Sequence, residues 1–285
     1  MSFLDHVRAC NDHDLARFLP FRVDGAEVGW IAPTLAGRLA DFPAVFVVGA
    51  QGIEKGIDLA PHLRGFEARS KALAGVARAL AADGLIAHWR DESYSVATEF
   101  AAPALFTIER AAAALFGIRA YGVHLNGFVR GPDGGMDLWI ARRAATSGVA
   151  PGKLDNMVAG GLPHGLGVAQ NLIKECAEEA AIPAALARRA EPVGAVSYML
   201  EIDGGLRRDT LFCFDLELPD HFRPRNTDGE VAEFMRWPVE RVAGVVDGGE
   251  DFKFNCNLVI IHFLLRHGFI GPDHPDHRAL TEALR

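Results

Sequence analysis

Residues 160 to 182 read GGLPHGLGVAQNLIKECAEEAAI, and this stretch constrains the chain more than any other. Four glycines fall within eight residues, followed by a run of helix formers carrying Glu175, Glu178 and Glu179. Glycine lets a backbone turn sharply and approach other groups closely. Positions i, i+3 and i+4 bring three carboxylates onto one face of a helix. Like charges at that spacing repel by roughly 0.2–0.5 kcal/mol per pair, so the face needs either solvent or a cation. A solvated acidic face is the ordinary reading. A hard divalent ion, Mg²⁺ or Mn²⁺, held by carboxylate oxygens together with substrate phosphates is the functional one.

Glycine-rich loops leading into helices also cradle phosphates through bare backbone N–H groups. Two familiar forms do not fit. A phosphate-binding loop of the Lys-Ser or Lys-Thr type fails because Gly167 is followed by Val168 and Ala169. The dinucleotide fingerprint fails because Gln170 stands at its last glycine and no strand directly precedes it.

The rest of the chain narrows the classes of function. With 285 residues, 49% hydrophobic, it is long enough for one large core or two modest ones. A net charge of −8 offers no basic stripe, so nucleic acid is not an expected partner. The first residues, MSFLDHVRACNDHD, lack the pattern of a signal peptide, and the run LVIIHFLL is too short to span a bilayer. A cytoplasmic protein without a membrane partner is expected. Cys10, Cys176, Cys213 and Cys256 stand singly, which argues for reduced core residues rather than a zinc site or a disulfide framework.

Along the chain, residues 1–117 read as a first α/β unit. FRVDGAEVGWIAP predicts a hairpin turning at Asp24-Gly25, AVFVVG a strand, and EARSKALAGVARALAADG a helix stopped at Gly84. YSVATEF predicts another strand, and the alanine-rich LFTIERAAAALFGI a closing helix. From residue 118 the texture changes to long strands broken by GPDGG and DGG, with a helix from about 168 to 181 and a last apolar helix ending at Gly268. The tail with His267, His274 and His277 reads as a solvated terminus. The oligomeric state stays open, a homodimer included.

Loop and helix together resemble the Nudix box: a glycine, a glutamate six residues on, then Arg-Glu, two residues, Glu-Glu and a glycine. Gly160 stands at the opening glycine, Lys174 at the arginine, Glu175, Glu178 and Glu179 at the helix glutamates, and Ile182 at the closing apolar position. Leu166 replaces the first glutamate and Ala181 the last glycine. VHLNGFV, LWIARRA, PGKLDNMVAGG and NTDGEVAEFMRWPVERV look like the Nudix branch related to thiamine pyrophosphokinase-linked proteins, and FLPFRVDGAEVGWIAP like the extra N-terminal domain of that branch.

The resemblance implies a Nudix α/β/α sandwich with a mixed sheet over residues 118–285, preceded by a smaller α/β domain over 1–117. It implies metal on Glu175, Glu178 and Glu179, with Glu175 and Glu178 in catalysis, Glu230 as helper base, and hydrolysis of a diphosphate bond. The substrate it suggests is a small-molecule diphosphate, thiamine diphosphate or a damaged form of it, released as the monophosphate. Two alternatives remain: a diphosphate-binding protein without catalysis, motivated by Leu166, and a hydrolase of nucleoside diphosphate sugars or dinucleotides. For substrate binding, Gly160, Gly161 and Lys174 belong to the box. Arg142 and Arg143 offer bidentate contacts to phosphate, at most one of them from the site side because neighbouring strand residues face opposite ways. Gly161 is expected to adjoin the metal helix, and Leu166→Glu to leave activity equal or higher by facing Lys174.

Overall fold

A computed structural model describes residues 1–49 and 55–284 of the chain. It begins with helix α1 (Phe3–Ala9), capped by Ser2 and Asp5. A four-stranded sheet follows, built from β1 (Leu19–Val23), β2 (Ala26–Ile31), β3 (Phe46–Gly49) and β4 (Gly56–Leu59) in the order β2-β1-β4-β3. The β1–β2 hairpin turns at Asp24 and Gly25, with φ of 51° and 82°, the left-handed pair that a tight two-residue turn requires. Helices α2 (Pro33–Leu39) and α3 (Phe66–Ala82) cover this sheet, and α3 stops before Gly84 at φ 76°.

The predicted closing helix is not there. Residues 106–109 form strand β6 (Phe106–Glu109), paired antiparallel with β5 (Ser93–Val96), and Arg110–Ala112 make a single 3₁₀ turn. The alternation of Phe106 and Ile108, both buried in the core under α3, outweighs the helix propensity of the alanines after them.

The second half is a seven-stranded mixed sheet. Its strands are β7 (Arg119–Arg130), β8 (Met136–Arg143), β9 (Leu154–Asn156), β10 (Val158–Gly161), β11 (Glu191–Ile202), β12 (Gly205–Glu217) and β13 (Val231–Pro238). The main order is β11-β12-β7-β8-β13, with β10 on β7 and β9 on β8; β12 and β7 run parallel, the other pairs antiparallel. Val123, Leu125 and Val129 of β7 join one core with α4 (Val168–Ala180), which the short α5 (Ala184–Ala187) follows. Phe128 joins the core of the opposite face, under α6 (Val239–Gly248) and α7 (Phe254–Arg266), so the sheet lies between two helical layers.

Two terminal elements depart from the expectation. Helix α1 packs not on the first sheet but into the core beneath α7: His6 Nε2 lies 2.7 Å from the Val246 carbonyl, and Phe3, Val7 and Cys10 are buried there. The tail is not solvated either. Residues His277–Ala283 form a helix whose Leu280 is fully buried in that same core, while His267 Nε2 lies 2.9 Å from Asp215. All four cysteines are free and buried.

Candidate active site

Strand β10 runs along β7, pairing Gly160 with Val123 and Gly161 with Gly122, and then leaves the sheet for the loop into α4. The loop is fastened to the first half of the chain. His164 N–H donates to the Ser93 carbonyl (2.7 Å), its Nδ1 lies 2.8 Å from Ser95 Oγ, and its ring stacks on Phe66 at 5.2 Å. Gln170 Oε1 accepts from the Gly167 N–H at the helix start (3.1 Å). Leu172, Cys176 and Ala180 bury one face of α4 against the sheet, which turns Lys174, Glu175 and Glu178 toward the loop and the strand ends.

Gly160 lies directly against the Glu175 side chain, which an added Cβ would overlap. Gly161, expected to adjoin the metal helix, faces the other way. Its Cα points at the Tyr94 hydroxyl and the Arg110 guanidinium, and only its carbonyl reaches the helix, accepting from Asn171 Nδ2 (2.8 Å). Neither glycine has a positive φ; close approach, not turn geometry, excludes side chains here.

Glu179 is buried and accepts from the Ala159 N–H at 2.8 Å. Burial pushes its carboxyl well above the ordinary value, opposed by that amide and helped by Asp155, Glu175 and Glu230. Burial likewise raises Glu175 against the pull of Lys174. Lys174 Nζ sits 2.7 Å from Glu178 and 3.2 Å from Glu175. Thr227 binds the Glu178 carbonyl and Arg225 the Ala180 carbonyl, docking the loop before β13 on the end of α4. This brings the exposed Glu230 close enough to act electrostatically on both Glu179 and Arg110.

These groups fit a hard divalent cation: they offer oxygen donors only, Glu175 and Glu179 are desolvated, and Glu175 and Glu178 already draw an ammonium between them. Glu175, Glu178 and Glu179 would hold it. Among the described residues, a different group gathers its ligand atoms within 4.8 Å, namely His124, Asp155 and Cys256. That group is closed by protein contacts. Asp155 accepts from Arg143 (2.8 Å), the Asn156 N–H (2.9 Å) and Cys256 Sγ (2.6 Å), with Lys253 at 3.7 Å. Burial pushes the Cys256 thiol well up, so it stays protonated and is a poor ligand. The cluster fastens β9 to α7.

Arg143 is thus a structural anchor, and Arg142 is engaged by Glu233 (2.7 Å) and the Gly152 carbonyl (3.1 Å). Neither lines the cavity of about 350 Å³ that opens beside Gly160 and Gly161. The cavity lies between the two halves of the chain. Tyr94 and Arg110 come from the first, His124, Arg207, Asp209 and Lys253 from the second. Three of the cations that line it are ion-paired: Arg110 to Glu92 (2.7 Å), Arg207 to Asp209 (3.7 Å) and Lys253 to Asp155. No motif or spacing marks these residues, and Arg110 was hidden in an expected helix.

A continuous chain of buried hydrogen bonds leaves the cavity through the sheet. His124 Nδ1 lies 2.8 Å from Asn156 Oδ1, Asn156 Nδ2 donates to Asn126 (3.1 Å), and Asn126 donates to Asp215 (3.1 Å), which Arg266 grips at 2.7 and 3.0 Å.

Residues 2–120 match the family model described as "Domain of unknown function (DUF4743)". The chain is 44% identical over 291 residues to "Nudix hydrolase 20, chloroplastic" of Arabidopsis thaliana, covering 99% of this chain and 77% of the plant protein. It is 46% identical over 286 residues to "Nudix hydrolase 24, chloroplastic" of the same plant, again covering 99% and 77%. Among solved structures, DR0079 from Deinococcus radiodurans aligns at 19% identity with a TM-score of 0.43, over 55% of this chain and 91% of that one.

Proposed function

The chain belongs to the Nudix hydrolase family, enzymes acting on phosphoric anhydride bonds, and from that premise we propose that it cleaves a small organic diphosphate with Mg²⁺ or Mn²⁺ held by Glu175, Glu178 and Glu179. The observation that supports this most directly is Gly160, whose bare backbone touches Glu175 and also borders the cavity. None of the α4 carboxylates lines the cavity itself, so a diphosphate seated there would reach Glu175 past the bare backbone of Gly160.

When bound, the divalent ion neutralises diphosphate charge and lowers the pKa of a water. The chain supplies the rest. Arg110, Arg207 and Lys253 present donors to phosphate oxygens while their carboxylate partners hold them in place. Glu230, exposed on the loop docked against α4, accepts the proton of the attacking water. The N-terminal half closes the cavity over the organic group. By resemblance to the thiamine-linked branch, that group is thiamine or a damaged form of it, and the product is the monophosphate.

A panel of diphosphates, including thiamine diphosphate, its oxidised derivatives and nucleoside diphosphate sugars, tests this by monophosphate release in Mg²⁺. Glu178→Gln and Glu179→Gln should each remove most activity with little change in Tm. Near-normal kcat in both would sink the metal site, and tight binding of a diphosphate without release would make the protein a binder instead.

A further inference from the structure

The replacement of the box glutamate by Leu166 has a counterpart across the cavity wall. Leu166 and Phe100 are both large hydrophobic side chains left exposed, at 37% and 49%, and both line a second cleft of about 270 Å³. Tyr94, Ala120 and Tyr121 line this cleft and the first cavity alike, so the two adjoin along a shared wall. Phe100 rests on Tyr121 and Phe212, each 4.8 Å away between ring centroids, and its remaining surface is open. Pro163 and Leu162 of the glycine loop complete the apolar side, while Ser95, Glu99, Arg119 and His164 line the polar one. Lys174, the partner a carboxylate at residue 166 would serve, is already held by Glu178 and Glu175 and does not line the cleft.

We propose that Leu166 and Phe100 form an apolar slot that takes a planar aromatic ring of the substrate, extending from the diphosphate held beside Gly160. This rests on the reading of the chain as a hydrolase of organic diphosphates. Apolar surface left facing a cavity gains by covering a ring, and an aromatic ring on Phe100 adds stacking to area burial. A glutamate at residue 166 would place a charge in the slot and oppose that burial. The departure from the box is then the specificity element of this chain, and Leu166→Glu impairs rather than restores it.

The test compares benzyl diphosphate with methyl diphosphate as substrates in Mg²⁺, for the wild type, Phe100→Ala, Leu166→Glu and Phe100→Trp. The wild type should prefer the benzyl ester in kcat/KM. Phe100→Ala and Leu166→Glu should each lower that preference about tenfold with a Tm near wild type, and Phe100→Trp should keep it. A preference unchanged in both Phe100→Ala and Leu166→Glu overturns the proposal. If the wild type hydrolyses neither ester, the hydrolase reading falls, and the slot is read from calorimetric Kd for benzyl phosphate: weakening in both variants upholds it, and no weakening overturns it.

Discussion

Gly160 stands so close to Glu175 that one methyl group at residue 160 would overlap the glutamate side chain. Gly160→Ala should therefore push Glu175 off its position, raising the Mg²⁺ concentration at half-saturation in a thermal-shift titration and cutting kcat/KM at least about tenfold. Gly161→Ala meets the Tyr94 hydroxyl instead. It should show as lost stability, about 1–3 kcal/mol in urea unfolding as for other overpacked sites. Wild-type metal titration and kinetics in Gly160→Ala would refute the close-approach argument.

On the proposed reading, Arg110 brings the N-terminal half into the chemistry. Burial opposes its charge, yet Tyr94, Glu92 and Glu230 around it raise its pKa, so it stays cationic beside the carboxylates. Arg110→Ala should lower kcat/KM by about 10–100-fold, with Arg110→Lys only partly restoring it because the planar two-point contact is lost. An Arg110→Ala enzyme with wild-type kcat/KM would remove this residue from the site.

Ala181 ends α4 in the left-handed region, at φ 52° and ψ 33°, where the family box has glycine. A side chain there costs about 1 kcal/mol that glycine avoids. Ala181→Gly should raise Tm by roughly 2–4 °C without changing kcat. A lower Tm would mean that the gain in chain entropy on unfolding outweighs the relief of strain.

Burial pushes His124 down to about 4 from 6.5, with Lys253 adding to the effect. The unfolded chain therefore binds more protons than the folded one between those values, and stability present above pH 6.5 is lost as pH falls toward 4. At 1.36 kcal/mol per pH unit, the loss is on the order of 3 kcal/mol. His124→Gln should flatten the dependence of urea-derived stability on pH across this range. His262, also pushed down to about 4 by burial and Arg266, leaves a residual slope. Equal slopes in mutant and wild type would show that His124 does not carry the effect.

Much of the fold was legible because local signals agreed with tertiary placement. The Asp24-Gly25 hairpin, the stop at Gly84 and the helix after Gly167 each follow from backbone geometry that few sequences permit. Residues 106–109 misled because alanine-rich composition masked a period-two pair whose partner, Tyr94 to Val96, is visible only once the strands meet. The carboxylate face of α4 was readable from spacing alone. The cavity was not: Tyr94, Arg110, Arg207 and Lys253 converge from four separate segments, and the orientation of Gly161 depends on which of them lies above it. Arg142 and Arg143 have the right chemistry for phosphate, yet each is spent on an internal partner that sequence does not reveal.

The seat of α1 beneath α7 has a temporal consequence. Phe3 and Val7 leave the ribosome well before residues 254–266, while halves of a chain otherwise fold as they emerge. The first helix must wait, its apolar face unsheltered, until α7 has been made. The sheet it passes on the way, β2-β1-β4-β3, can be complete long before the helix that precedes it finds its place. A chain cut at residue 118 therefore loses a wall of the core it was meant to isolate, and the two halves are synthesised in sequence but closed together.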